Sequence, residues 1–188
     1  MPMPSPTPKP WVSEVLKFWF EETQPEQWFK KDAAFDAAVR SRFCELHAEL
    51  ASRSQEELLG DGCGALAAVI VFDQMSRNMF RDTPAAFASD AIALSLAQEA
   101  IARGLDRGFS KAERMFLYLP FEHAEDSRAQ ARCVELMASL DDAELTKWAT
   151  DHQEIIDRFG RFPHRNAILG RMSTREELEF LDQPGSTF

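Results

Sequence analysis

The sequence predicts an all-α fold, and three observations carry that prediction. Apolar residues recur at intervals of three and four nearly throughout, the spacing that lines one face of an α-helix. Alanine is abundant while valine, isoleucine and threonine are sparse, which suits helices and leaves little material for a sheet. Ser/Thr-x-x-Glu capping boxes stand at Ser54 to Glu57, Ser110 to Glu113 and Thr174 to Glu177, where side chains and helix N-terminal amides satisfy one another.

Residues 1–10 carry a proline at every second position (Pro2, Pro4, Pro6, Pro8, Pro10), which removes backbone donors and favours extended chain; they read as a disordered arm. Val12, Val15, Leu16, Trp19 and Phe20 then build a helix over 12–22, and Phe35, Val39, Phe43, Leu46 and Leu50 build one over 33–52. The first capping box opens 54–59, which Gly60 ends. The run from Leu66 to Phe72 is apolar enough for a central helix, 64–81, and the next, 89–103, stops at Gly104. Ser110 opens 111–119, which Pro120 closes. Helices over 125–139 and 142–159 follow, the second stopping at Gly160; Pro163 starts a turn near 163–168, and Thr174 opens 175–181. The whole is one helical domain over 11–182 with a tail at 183–188. Short connections favour antiparallel helical hairpins, as a bundle or a solenoid-like array, although no repeat of about 34 residues is detectable.

A chain of 188 residues can bury about two-thirds of its unfolded surface, enough for a core without metal or disulfide staples. Its 21 basic against 31 acidic residues leave a net charge of −10, which disfavours nucleic acid and anionic membrane surfaces as partners. Cys44, Cys63 and Cys133 are odd in number and widely spaced, so they read as reduced thiols in a cytoplasmic protein. No apolar run approaches the roughly 20 residues of a membrane span, and the N-terminus lacks the order of a signal peptide.

Three segments interrupt apolar faces with polar groups. In Leu66 to Arg81, the residues Asp73, Arg77 and Arg81 follow at intervals of four along the stripe begun by Leu66 and Ile70. They read either as an ordinary ion-paired helix end or as an arginine-lined pocket wall, because a guanidinium matches carboxylate or phosphate bidentately. In Tyr118 to Gln130, Glu125 and Asp126 suit a helix first turn, whereas His123 has no such obvious reason to be there. His123-x-x-Asp126 can bring nitrogen and oxygen to one side of a turn, as base orientation or metal ligation would need. In the third, His152 interrupts the stripe Leu145, Trp148, Ile155, Ile156 and Phe159, and the helix runs into Arg158-Phe159-Gly160-Arg161-Phe162-Pro163-His164-Arg165-Asn166. The alternatives there are a core histidine and an arginine-crosslinked corner. His47 lies on the polar side of an early helix.

Within these segments Phe72 to Arg81, Tyr118 to Asp126 and Arg158 to Asn166, with Phe87-Ala88-Ser89-Asp90 and Leu169-Gly170-Arg171-Met172-Ser173-Thr174, resemble the signature blocks of the bacterial family known as domain of unknown function 924, in order over about residues 11–182. The resemblance implies an all-α fold of antiparallel helical hairpins similar to the tetratricopeptide-like right-handed superhelix. It implies no activity. The family usually has serine where this chain has Ala124, and a polar residue is common where it has Met172, so no hydroxyl nucleophile stands at 124.

If the segments converge, Asp73, Arg77, Asn78, Arg81, Glu122, His123, Asp126, His152, Arg161, His164 and Asn166 line one pocket for a small anionic molecule or peptide, with Arg165 as a further anchor. Two other readings compete with a binding module. One is a hydrolase or lyase with His123 or His164 as general base and Asp126 or Glu122 beside it. The other is a structural or assembly protein in which these charges clamp the fold and exposed aromatics such as Trp28 and Phe29 form a homodimer contact. No cofactor is expected and no metal is assigned. Nucleophile elbow, P-loop, dinucleotide fingerprint and His-Glu-x-x-His are missing.

Overall fold

A computed structural model describes residues 9–186, and those residues are helical without strands. Helix α1 (Pro10–Lys17) widens into a π-helical turn, Phe18–Glu22, and is followed by α2 (Pro25–Trp28), α3 (Ala33–Ala51) and α4 (Gln55–Leu58). Helix α5 (Gly62–Val69) passes through a second π-helical turn, Ile70–Met75, into α6 (Ser76–Met79). A 3-10 turn, Pro84–Phe87, leads to α7 (Asp90–Ala102), α8 (Lys111–Glu122), α9 (Ser127–Ala138) and α10 (Ala143–Phe159). The 3-10 turn Pro163–Arg165 and α11 (Arg175–Leu181) complete the chain.

Polar caps set most starts. Ser54, Ser110 and Thr174 form the predicted capping boxes, and Asp32, Asp61, Asp126 and Asp142 each accept backbone N–H bonds of the helix they precede. Helix α10 stops at Gly160, whose φ of 69° is left-handed and open to glycine without a Cβ penalty.

The centre is the stretch from Gly64 to Ser76, every residue of which is buried. It packs on α1, α3, α7 and α8, and onward packing runs from α7 to α8, α8 to α9 and α9 to α10. Trp19, Phe43, Phe72, Phe116 and Tyr118 are fully enclosed in this core. Gly62 permits the closest approach, since a Cβ there would stand 2.5 Å from the Leu105 carbonyl oxygen.

Several details differ from expectation. Residues 1–8 of the arm, and 187–188 of the tail, lie outside the described residues; Pro10, expected in the arm, is the first residue of α1. Pro120 does not end α8, which continues to Glu122. A proline this near the last turn removes one backbone donor, and His123 N still bonds the Leu119 carbonyl at 3.0 Å. By length and composition Pro84–Ala102, with mean hydropathy 1.2, passes as a membrane-span candidate. Here it divides into a 3-10 turn and α7, whose Asp90 is ion-paired and whose inner face packs on α5 and α8. His47 is half-buried, its ring edge-on to Phe72 and Phe80 and its Nε2 2.9 Å from Ser76 Oγ. Trp28 is half-buried and donates to the Trp19 carbonyl, whereas Phe29 remains 56% exposed.

Candidate functional site

The π-helical turn positions the first functional side chain. A widened turn leaves backbone carbonyls to other donors. Ser76 Oγ and Ser89 Oγ bond the carbonyls of Val71 and Phe72, and Arg77 Nη1 bonds that of Asp73 at 2.7 Å. Asp73 is thereby held fully buried at the end of the apolar helix. Its carboxylate accepts from Gln74 Nε2 at 2.6 Å and stands 3.3 Å from Arg77 Nη1. From α8, His123 Nδ1 reaches the same carboxylate at 2.8 and 2.9 Å.

Burial alone would raise the Asp73 pKa, but the facing His123 and Arg77 hold the carboxyl well below its ordinary value, so it is ionised. Burial, aided by Arg77, pushes His123 down and favours the neutral ring. An ionised carboxylate at Nδ1 then selects the tautomer with its proton on Nδ1 and the lone pair on Nε2. No described residue hydrogen-bonds that Nε2.

His123 lines a cleft of about 430 Å³ between the 3-10 turn Pro84–Phe87, α7, the α8–α9 connection and the segment after Pro163. Asp90, Glu125, Asp126 and Arg165 also line it, while Phe87, Ala91, Leu94 and Leu169 supply apolar wall. Asp90 is held bidentately by Arg77, at 2.9 and 3.0 Å. Glu125 is held bidentately by Arg171, at 2.6 and 2.9 Å, and accepts the Phe162 backbone N–H. Asp126 caps α9 through Ala129 N at 2.8 Å, so Asp73 rather than Asp126 orients His123.

Arg165 is different. Its guanidinium lies over the rings of Phe87 and Phe162, 4.7 and 4.6 Å from their centroids. Its Nη1 meets Asp90 at only 3.5 Å and its buried Nε has no hydrogen-bond partner among the described residues. Burial first, then the charge of Arg77, lowers its pKa to about 10.

Behind the cleft, Glu122 is buried and pushed up to about 8 by burial and then by the charge of Asp73, so it is mostly protonated at neutral pH. The His152 ring donates from Nδ1 to the Trp148 carbonyl at 2.8 Å, stands 3.8 Å from Glu122 Oε1, and is edge-on to Phe162. Burial lowers both His152 and His164 to about 4. His164 also packs against Phe162, its ring centroid 5.7 Å away.

The remaining predicted residues lie in two separate clamps. Asn78 and Arg81 both bond Asp36 of α3, Arg81 bidentately at 2.5 and 2.8 Å. The stripe through Asp73 and Arg77 breaks before Arg81 because α6 ends at Met79. Arg161 holds Glu177 of α11 at 2.6 and 2.8 Å, and Asn166 bridges Ser173 and Glu177. Among the described residues, no three His, Cys, Asp or Glu gather in a metal-holding arrangement.

Sequence reasoning passed over Asp90 and Phe87 as site residues. Asp90 carried a signal, an acid at a helix start within a quoted block, but helix-dipole stabilisation explains that position equally well.

The chain matches the model of a family described as bacterial protein of unknown function (DUF924) over residues 15–185. No curated protein matches it. A solved structure, that of the protein of unknown function ATU0120 from Agrobacterium tumefaciens, is 42% identical, with a TM-score of 0.86 over 91% of this chain and 96% of that chain. With nearly the whole helical domain matched, this chain belongs to the DUF924 family.

Proposed function

We propose that this protein binds a small anionic molecule in the cleft between the Pro84–Phe87 turn, α7 and the α8–α9 connection, with Arg165 as the charge anchor. One observation carries the reading: Arg165 and His123 line the same cleft, and both retain unused hydrogen-bonding capacity. Buried donors in proteins are normally satisfied, so an under-partnered guanidinium beside a cavity is a binding feature. The test is a thermal-shift screen of wild type, Arg165→Met and His123→Gln against carboxylated and phosphorylated metabolites. Binding to the native state raises the melting temperature by mass action. The reading expects anions that stabilise wild type and leave Arg165→Met unmoved; equal shifts in both proteins would overturn it.

A second reading, hydrolase or lyase, is favoured by the Asp73–His123 pair. A neutral imidazole whose Nδ1 proton is held by a buried carboxylate offers Nε2 as a general base. Turnover that vanishes in His123→Gln while anion affinity persists would support catalysis; unchanged turnover would exclude this histidine.

Two coarser features fit the proposal. Successive packing of α7, α8, α9 and α10 is consistent with a tetratricopeptide-like right-handed superhelix. Three free thiols and a net charge of −10 suit a cytoplasmic protein that binds neither nucleic acid nor membrane.

A further inference from the structure

The charge balance and walls of the cleft narrow the class of anion, an inference that rests on the binding reading above. Helix N-termini are the usual cradles for phosphate, and two open toward this cleft. Both are already supplied with a carboxylate from the chain itself: Asp126 caps α9, and Asp90 stands in the first turn of α7. Glu125 adds a third carboxylate to the lining. Arg77 and Arg171 are occupied bidentately by Asp90 and Glu125. Among the described residues that line the cleft, Arg165 therefore remains as the under-partnered cation to receive a ligand. A phosphate dianion or a polyphosphate would set two or more charges against that single guanidinium among three carboxylates. A monoanion matches the charge of Arg165 one to one, and the guanidinium fork matches a carboxylate.

The other walls are apolar: Pro84 and Phe87 on the turn, Ala91 and Leu94 on α7, and Leu169 opposite. A cleft of about 430 Å³ is in the lower part of the roughly 300–1,000 Å³ range of small-molecule sites. We propose that the ligand is an organic monocarboxylate with a short aliphatic or aromatic body, its carboxylate on Arg165 and its body along Phe87, Ala91 and Leu94.

Isothermal titration of the full chain tests this with acetate, butyrate, hexanoate and benzoate, against inorganic phosphate and phenyl phosphate. The proposal expects affinity to rise by up to roughly fourfold per methylene from acetate to hexanoate. It also expects benzoate to bind more tightly than phenyl phosphate. Leu94→Ser and Ala91→Trp should flatten the chain-length series, and Arg165→Met should abolish binding of every carboxylate. The series on wild type alone decides the class, so misfolding of a variant leaves the test intact. Affinity independent of chain length, or phenyl phosphate as tight as benzoate, overturns the monocarboxylate proposal while leaving the anion-binding cleft standing. Failure of every anion to bind wild type overturns both.

Discussion

Replacing Glu122 with glutamine keeps the side-chain shape and removes its titration. The wild-type carboxyl ionises at about 8 in the folded protein and near 4.5 when exposed. Each pH unit between those values costs the folded state about 1.4 kcal/mol relative to the unfolded chain. The folded-state pKa is the higher one, so the native protein keeps a proton that the unfolded chain releases. Below pH 4.5 the residue is neutral to stability, and its cost grows as pH rises to about 8. Wild type should lose about 3.5 kcal/mol through this group between pH 5 and 8. Glu122→Gln should therefore be about 3 kcal/mol more stable than wild type at pH 7, and within about 1 kcal/mol of it at pH 5. Urea unfolding at pH 5, 6, 7 and 8, followed by tryptophan fluorescence, measures the difference, with an unchanged m-value as the control for compactness. A gap between the two proteins that stays constant across this range would refute the assignment of a buried, protonated Glu122.

Other perturbations address the surrounding structure. Asp73→Asn leaves Arg77 and His123 without their buried carboxylate and should cost about 3–5 kcal/mol in urea unfolding; a loss under about 1 kcal/mol would show that the pair is not enclosed as described. Glu177, held near 2 by its bonds to Arg161, contributes stability that is present above pH 4.5 and lost as pH falls toward 2. Glu177→Gln should accordingly flatten the acid limb of the melting-temperature profile, and an unaltered limb would count against that bridge. Gly160→Ala forces a Cβ into a left-handed φ of 69° and should cost about 1–2 kcal/mol by calorimetry.

What was legible in the sequence was local. The three Ser/Thr-x-x-Glu boxes and the stop at Gly160 act within one helical turn, so they appear in the structure where the spacing puts them. The π-helical turn at Ile70–Met75 has no such signature, because it is braced by Ser89 and other side chains that tertiary packing brings to its carbonyls. Arg77 and Arg81 look equivalent on a helical stripe, yet one bonds Asp90 and the other Asp36, partners 13 and 45 residues away in sequence. Arg161 and Arg165 illustrate the same limit: four residues apart in one polar run, one is fully paired with Glu177 and the other is left short of partners.

That contrast also weighs the binding cleft against a purely structural clamp. Arg81, Arg161 and Arg171 show what clamps look like in this fold, each gripping one carboxylate with two nitrogens at 2.9 Å or less. Arg165 is more deeply buried than any of them and, among the described residues, meets one carboxylate, Asp90, at 3.5 Å. Lowering its pKa from 12.5 to about 10 means that keeping it charged costs the folded protein about 3 kcal/mol at neutral pH. The ring contacts with Phe87 and Phe162 offset part of that cost, and a methionine thioether against the same rings would recover much of the contact. Arg165→Met should therefore raise stability by about 1–3 kcal/mol while abolishing anion binding, the trade expected where a strained group serves a ligand. Asp90 keeps its bidentate partner Arg77, so the substitution strands no acid. A clamp makes the opposite prediction, a loss of about 3–5 kcal/mol on removing one member of a buried pair. The sign of that one difference in urea unfolding decides between the two.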